Sequence, residues 1–340
     1  MRRPLVFLLG LAFSMITVAT PAFACGGLIG PNGAVNLLRT TTFVGYHDGV
    51  EHYVTAFQFA GGGGKFGSLT PLPGVPTNVE RGGSWTLQRL IRETQPITRG
   101  IGVPQAATRA TADSVQILLE TKIDALDITV LAGGGAAVGE WATAHGFRLP
   151  ADAPEVLDFY AERSPIFLAA AFDADAAAAR GQRVGDGTPV HITIPTANPW
   201  VPLRILALGK QPNDPVQADV YLLTDRKPAM LPFARVTTGL QLAYDRSASA
   251  ALLEDLRTDA GMGWVPATGW LSQVRIDTVA STLTYDLAID AAGRSPSRVA
   301  AGFETPRGSD PAPIALTMLA AAMAALILVV IREQRRTVTA

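Results

Sequence analysis

"VNLLRTTTFVGYHDGVEHYVTAFQFA", residues 35–60, is dense in Val, Thr, Tyr and Phe on both sides of Asp48-Gly49. β-Branched and aromatic residues suit a pleated, half-buried surface. Asp-Gly supplies the left-handed positions that a two-residue hairpin turn requires. The stretch predicts a β-hairpin in which His47 faces Val50 and Gly45 faces His52. Further strand-like runs at 189–195, 203–209, 217–224, 233–243 and 273–290 share its composition. The expected class is therefore α+β, with mainly antiparallel β-sheets and a few helices.

The helices carry their own punctuation. Ser84 is placed to cap a helix bearing Trp85, Leu87, Leu90 and Ile91, which Pro96 ends. Residues 136–145 read as a short helix closed by Gly146. Asp152 and Glu155 form a capping-box pattern for a helix to about Arg163. "IFLAAAFDADAAAARG", from Ile166, favours helix by propensity, although Phe167-Leu168 suits a strand start. A helix is expected from Ser249 to Asp259, before Gly261. Residues 113–132 fit either strands or a helix–strand pair. The turn-rich "GQRVGDGTPV", from Gly181, divides the expected ectodomain into 25–182 and a β-rich 183–290.

Both chain ends are apolar. Arg2 and Arg3 precede an uncharged run, and Ala22-Phe23-Ala24 supplies the small residues of a cleavage site, so 1–24 reads as a signal peptide. Cys25, the single cysteine, would then begin the mature chain. It is a candidate lipidation position, but Ala22 stands where the lipoprotein pathway prefers a Leu-like residue. A lone cysteine forms no internal disulfide. From Ile314 to Ile331 no charge occurs, and a helix of that length covers roughly 27 Å, close to a bilayer core. Arg332, Arg335 and Arg336 follow, which places the tail 332–340 on the cytoplasmic side. The expectation is one transmembrane helix at 313–331 after a linker at 291–312. Ala320/Ala324 and Ala321/Ala325 permit close helix approach, a weak pointer to homodimerisation.

Composition and motifs exclude more than they assign. The formal net charge is −1, without the basic footprint of a nucleic-acid binder. "AGGGGKFG", residues 60–67, fails as a phosphate loop: Phe66 replaces the hydroxyl residue and Phe59 the first glycine. His47 and His52 share a hairpin face diagonally, but a metal needs at least one further ligand, and His145 and His191 have no partners at ligand spacing. No metal, cofactor or catalytic group is assigned. No serine or cysteine nucleophile motif occurs. Two Pro-rich segments set Trp beside Arg: Trp85 with Arg89 on one helical face, and Trp200 with Arg204. Trp and Arg are common binding hot spots and can stack, so these four are the candidate binding residues; core packing is the simpler reading of both tryptophans.

The same segments carry a family resemblance. "ACGGLI", "PLPGVP" before the Trp-bearing helix, and "NPWVPLRI" occur in an order that resembles the bacterial family labelled domain of unknown function 2330, over residues 24–290. The resemblance implies an exported or membrane-anchored protein and lends no catalytic residues. Members often carry a second cysteine soon after the first; this chain has none. The expectation is a single-pass membrane protein whose extracytoplasmic domain binds an envelope protein or polymer. The alternatives are an envelope hydrolase with an unrecognised carboxylate site and a lipid-linked scaffold.

Overall fold

The computed structural model describes residues 27–30, 33–34, 40–58, 66–95, 117–181 and 187–306. The expected signal peptide, Cys25, the glycine run to Lys65, the expected membrane span and the tail lie outside them. Among the described residues no helix is long and apolar enough to cross a membrane.

The described residues open with strands β1 (Gly27–Gly30) and β2 (Gly33–Ala34). The hairpin then forms as β3 (Thr40–His47) and β4 (Val50–Gln58), with His47 opposite Val50 and Gly45 opposite His52. Asp48 and Gly49 take φ of 48° and 80°, the left-handed pair the turn demands. Strands β5 (Phe66–Leu72) and β6 (Asn78–Arg81) precede helix α1 (Thr86–Thr94). The ambiguous stretch after it is a second hairpin, β7 (Ile117–Ile123) and β8 (Leu126–Ala132), turning at Asp124 with φ 55°. Helices α2 (Gly134–Ala144) and α3 (Ala153–Ala161) follow. Gly146, at φ 74°, closes α2 as expected.

Three expectations are corrected beyond that point. Ile166–Phe172 is strand β9, and only Ala174–Ala179 (α4) is helical. Burial overrides propensity here, because β9 lies between β5 and β8 with every residue buried. Its small side chains leave room for neighbours. Ala171 faces Gly67, where an added Cβ would come within 2.9 Å of the Phe147 ring. After β10 (Gly187–Pro195) and β11 (Trp200–Val201), the run at 203–209 forms a 3₁₀ turn at Arg204–Ala207 instead of a strand. After β12 (Pro215–Thr224) and β13 (Ala229–Leu231), the run at 233–243 is strand only from Leu240. That strand is β14 (Leu240–Ser247), because Val236 and Thr237 donate to Phe233 O in a turn. Helix α5 (Ala250–Thr258) is capped by Ser249, whose hydroxyl accepts from Leu252 N–H at 3.2 Å. Strands β15 (Trp270–Val279) and β16 (Leu287–Asp290) complete the order.

Among the described residues three sheets result. One has the order β2-β1-β5-β9-β8-β7 and is antiparallel throughout. The second runs β14-β15-β12-β3-β4-β10-β6, with β12 and β3 its one parallel pair. The third is β11-β16-β13. Side-chain alternation sorts the core. Leu126, Ile128, Val130, Leu168 and Ala170 of the first sheet pack in one cluster with Val190, Ile192, Val220, Leu222 and Val274 of the second. The opposite face of β9, Phe167 and Ala169, packs on Val138, Trp141, Leu157 and Tyr160 of α2 and α3. The opposite face of β12, Tyr221 and Leu223, packs with Leu90 of α1 and Leu252 and Leu256 of α5. The layering is thus helix, sheet, sheet, helix, and the class is strand-rich α+β.

Strands from either side of residue 183 share the second sheet, and the described residues as far as Phe303 belong to one unit. The middle of the expected linker packs onto this unit: Ala300 and Ala301 are buried, and Asp286 N–H donates to Ala301 O at 3.0 Å.

Candidate functional site

Alternation along β4, β6 and β10 places His52, Glu80 and His191 on the helix-covered face of the second sheet. Register makes Glu80 the direct partner of His191. His191 Nδ1 lies 3.1 Å from a Glu80 carboxylate oxygen, and its Nε2 lies 3.0 Å from His52 Nδ1. A carboxylate, an imidazole and a second imidazole therefore form one chain of hydrogen bonds. Trp264 closes it, stacking on His52 with centroids 3.9 Å apart and planes within 4°. Gly45 makes this possible, since a Cβ there would stand 1.9 Å from the Trp264 ring. Burial, followed by the charges of His191 and His47, pushes His52 down to about 3. Burial also lowers His191, against the pull of Glu80. The pair is accordingly neutral near pH 7 and shares one proton along its contact.

The hairpin histidines thus part company. His52 binds His191, whereas His47 Nδ1 reaches an Asp225 carboxylate oxygen at 2.7 Å. Sequence spacing gave no sign of the His52–His191 contact, because the two residues are 139 positions apart. Among the described residues no three His, Cys, Asp or Glu side chains are arranged to hold a metal ion. The glycine run is followed at Phe66 by a strand, so the helix that a phosphate loop requires does not follow it.

The four Trp and Arg candidates fall in two separate places. Trp85 precedes α1, and its backbone N–H donates to Asp259 at 3.1 Å. Arg89, one turn on, is held by Asp255 at 2.8 Å and Glu93 at 2.7 Å. Trp200 is buried, stacked on Tyr160 at 5.7 Å with the Arg163 guanidinium 5.0 Å from its ring. Arg204 pairs with Glu155 and lies 4.3 Å over Phe159. Each arginine is committed to carboxylates of its own domain.

Two buried acids adjoin Trp200. Asp286 accepts from Arg163 Nη2, Tyr160 OH, and the backbone N–H groups of Leu203 and Arg204, all within 3.0 Å. Glu51 accepts only from Trp200 N–H at 3.2 Å; its second oxygen finds no partner among the described residues. Burial pushes Glu51 up to about 8, against that one hydrogen bond. The fold therefore holds Glu51 protonated at neutral pH, whereas the unfolded chain ionises it near 4.5.

A pH prediction follows from the two opposite shifts. Because the native state keeps the Glu51 proton, stability falls as pH rises from about 4.5 to 8. Both histidines are depressed, so their contribution is present above their unfolded value of 6.5 and is lost as pH falls below it, for His52 towards about 3. The two trends oppose each other between 4.5 and 6.5, and only the Glu51 trend remains between 6.5 and 8. Glu51→Gln should flatten urea midpoints over pH 6.5–8. Parallel curves for the two proteins there would mean that Glu51 is ionised in the fold.

An open cleft of about 490 Å³ lies at the end of the second sheet. Its walls are the turn Asp225–Lys227 after β12, Ser247 and Ala248 at the end of β14, and the turn 267–269 before β15. Trp270 lines it, with the Lys227 ammonium 5.3 Å from the ring centroid. Asp245 fixes this arrangement, accepting from Trp270 Nε1–H at 2.7 Å and from Ser272 at 3.1 Å and pairing with Lys227 at 2.8 Å. Burial works against its charge, yet these donors hold the Asp245 carboxyl below the usual range. Exposed Asp225, Arg226 and Lys227 put two cations and one carboxylate at the rim beside an aromatic plane. Sequence reading passed over this group, since Lys227, Asp245 and Trp270 share no motif and meet only through strand pairing.

The family described as an uncharacterised protein conserved in bacteria, DUF2330, matches residues 19–289. No curated protein matches the chain. Among solved structures, a mutated baculovirus P35 after caspase cleavage is 9% identical, with TM-score 0.38, covering 74% of this chain and 98% of that one. Baculovirus P35 is 9% identical at TM-score 0.37, covering 74% and 95%. The caspase-8/P35 complex gives 8% and 0.36, covering 74% and 94%. Scores of this size place no weight on a shared fold or activity.

Proposed function

We propose, for a chain that belongs to the uncharacterised bacterial family DUF2330, the role of a membrane-anchored extracytoplasmic binding module. In this reading the signal peptide exports residues 27–306, the 314–331 segment anchors them as a single pass with the C-terminus inside, and the Trp270 cleft holds the ligand. The observation that carries it is the cleft itself: an open hollow with a half-buried Trp270 fixed by Asp245 in its wall and Lys227 and Arg226 at its rim. Such a surface suits an anionic glycan of the envelope, whose ring lies against Trp270 and whose acid groups meet the two cations.

The rival reading, an envelope hydrolase, would draw on Glu80, His191 and His52. Trp264 covers His52, which is 8% exposed, so the terminal imidazole of that chain has no open approach for a substrate.

The test is co-sedimentation of the full-length protein with isolated bacterial wall glycan. Trp270→Ala should weaken binding at least about tenfold, as loss of an aromatic hot spot does. Lys227→Ala should weaken it less and reduce its salt dependence. An absence of saturable binding, or equal binding by the Trp270 variant, would overturn the assignment.

A further inference from the structure

Five large apolar side chains stand out from the surface of the described residues, and three of them sit at one end of the three-stranded sheet. Phe233 is 61% exposed, Val236 79% and Phe303 42%. Leu231 of β13 pairs with Ala288 of β16, so the chain after Leu231 emerges beside the start of β16. Ala234, at the base of the Phe233–Val236 turn, packs in the same cluster as Leu283 and Tyr285. At that end Asp286 is bonded to Ala301, and the Phe303 ring lies 6.0 Å from Tyr285. The Phe233 turn and the last packed residues of the domain therefore share one end.

The chain beyond this end is short. Seven residues, 307–313, separate Pro306 from the uncharged run beginning at Ile314. Even fully extended they span roughly 25 Å. The expected linker from 291 would have allowed several times that distance, but it is held on the domain at Ala300 and Ala301. A domain tethered so closely must hold its exit end near whatever surface Ile314 enters. Apolar side chains at such an end gain contact with that surface at a high effective concentration.

We infer that the end bearing Phe233, Val236 and Phe303 rests in the headgroup–acyl boundary of the bilayer, with lipid as its partner. The inference depends on the membrane-anchor reading above. Aromatic and apolar side chains partition into this boundary layer. Arg298, 5.9 Å over Phe303, and Arg235, 70% exposed although its Nη2 lies 3.4 Å from Asp245, have long stems that can keep their charges at headgroup level. Glu304 lies next to Phe303, so apolar insertion and not net charge carries the contact.

The test uses the full-length chain in phospholipid vesicles, with Cys25→Ser removing the single native thiol. Spin labels are placed one at a time through Phe233→Cys and Val236→Cys, with Ala324→Cys and Glu254→Cys as references. Immersion depth is read from accessibility to oxygen against a water-soluble nickel chelate. The expected result is a deep label at 324, a solvated label at 254, and labels at 233 and 236 with an oxygen-to-nickel ratio several-fold above that at 254. If 324 is deep while 233 and 236 match 254, the inference fails and the anchor stands. If 324 is itself solvated, the anchor reading fails and the inference goes with it. Labels at 233 and 236 shielded from both reagents would show a protein partner or a second copy in place of lipid, and would also overturn it.

Discussion

Asp286→Ala should cost about 3–5 kcal/mol of folding stability, the range for breaking a buried ion pair from one side. The side chain of Asp286 is fully buried and that of Arg163 is 4% exposed, with their atoms 2.7 Å apart. Removing the carboxylate leaves the guanidinium charge inside, along with Tyr160 OH and the N–H groups of Leu203 and Arg204. Arg163 keeps some compensation, since it also donates to Ala300 O and Phe159 O and lies 3.9 Å over the Phe159 ring. Adding Arg163→Met to Asp286→Ala should recover only part of the loss, because the two backbone donors and the phenol's O–H stay unpaired, although the phenol oxygen still accepts from Ile205 N–H. Urea unfolding of the three proteins at one pH measures this. A single variant within about 1 kcal/mol of wild type would mean that the network is dispensable.

The second large effect is expected at Asp259. Helix α1 has no cap of its own: Trp85 occupies the N-cap position without a side-chain bond, and Ser84 does not supply one. Asp259, just beyond α5, accepts instead from Ser84 N–H, Trp85 N–H, Thr86 N–H and Thr86 Oγ1–H, at 2.7–3.1 Å. One carboxylate thus satisfies two of the orphan backbone donors of a helix start, those of Trp85 and Thr86, and meets the positive end of its dipole. Asp259→Ala should cost about 2–4 kcal/mol, combining a lost cap with buried donors left unpaired. Amide exchange should quicken first at 86–94, and Asp259→Asn should lose less than Ala does. Uniform exchange across the whole domain would show that the contact does not govern α1 locally.

Both effects rest on residues to which the sequence had given other roles or none. Ser84 looked like the cap of α1, and the Asp152–Glu155 spacing looked like a capping box. In the fold Asp152 makes no cap bond and accepts from Gly209 N–H instead, while Glu155 binds Arg204. A short polar side chain before a helix is eligible to cap it, but a better-placed carboxylate from elsewhere can win the site. The Trp and Arg candidates show the same limit. Trp200 was visible as a large apolar residue, but its cation is Arg163, not the neighbouring Arg204. The cleft around Trp270 was not legible at all.

What the sequence determined by itself is whatever acts over a few residues. The Asp48-Gly49 turn and its register, the close of α2 at Gly146 and the cap of α5 at Ser249 each rest on backbone preferences or hydrogen bonds spanning at most a turn of chain. The strand-rich α+β class follows from the summed composition of such segments. Tertiary structure alone decided what depends on contacts far apart in the chain. Burial on both faces made β9 a strand against its alanine content. Pairing of distant strands set His52 against His191 across 139 positions. Packing of α5 beside α1 brought Asp259 to a helix start 173 positions away. Local propensity is worth tenths of a kcal/mol per residue, whereas burying a side chain or a charge is worth several times more, so where the two disagree the buried contact prevails.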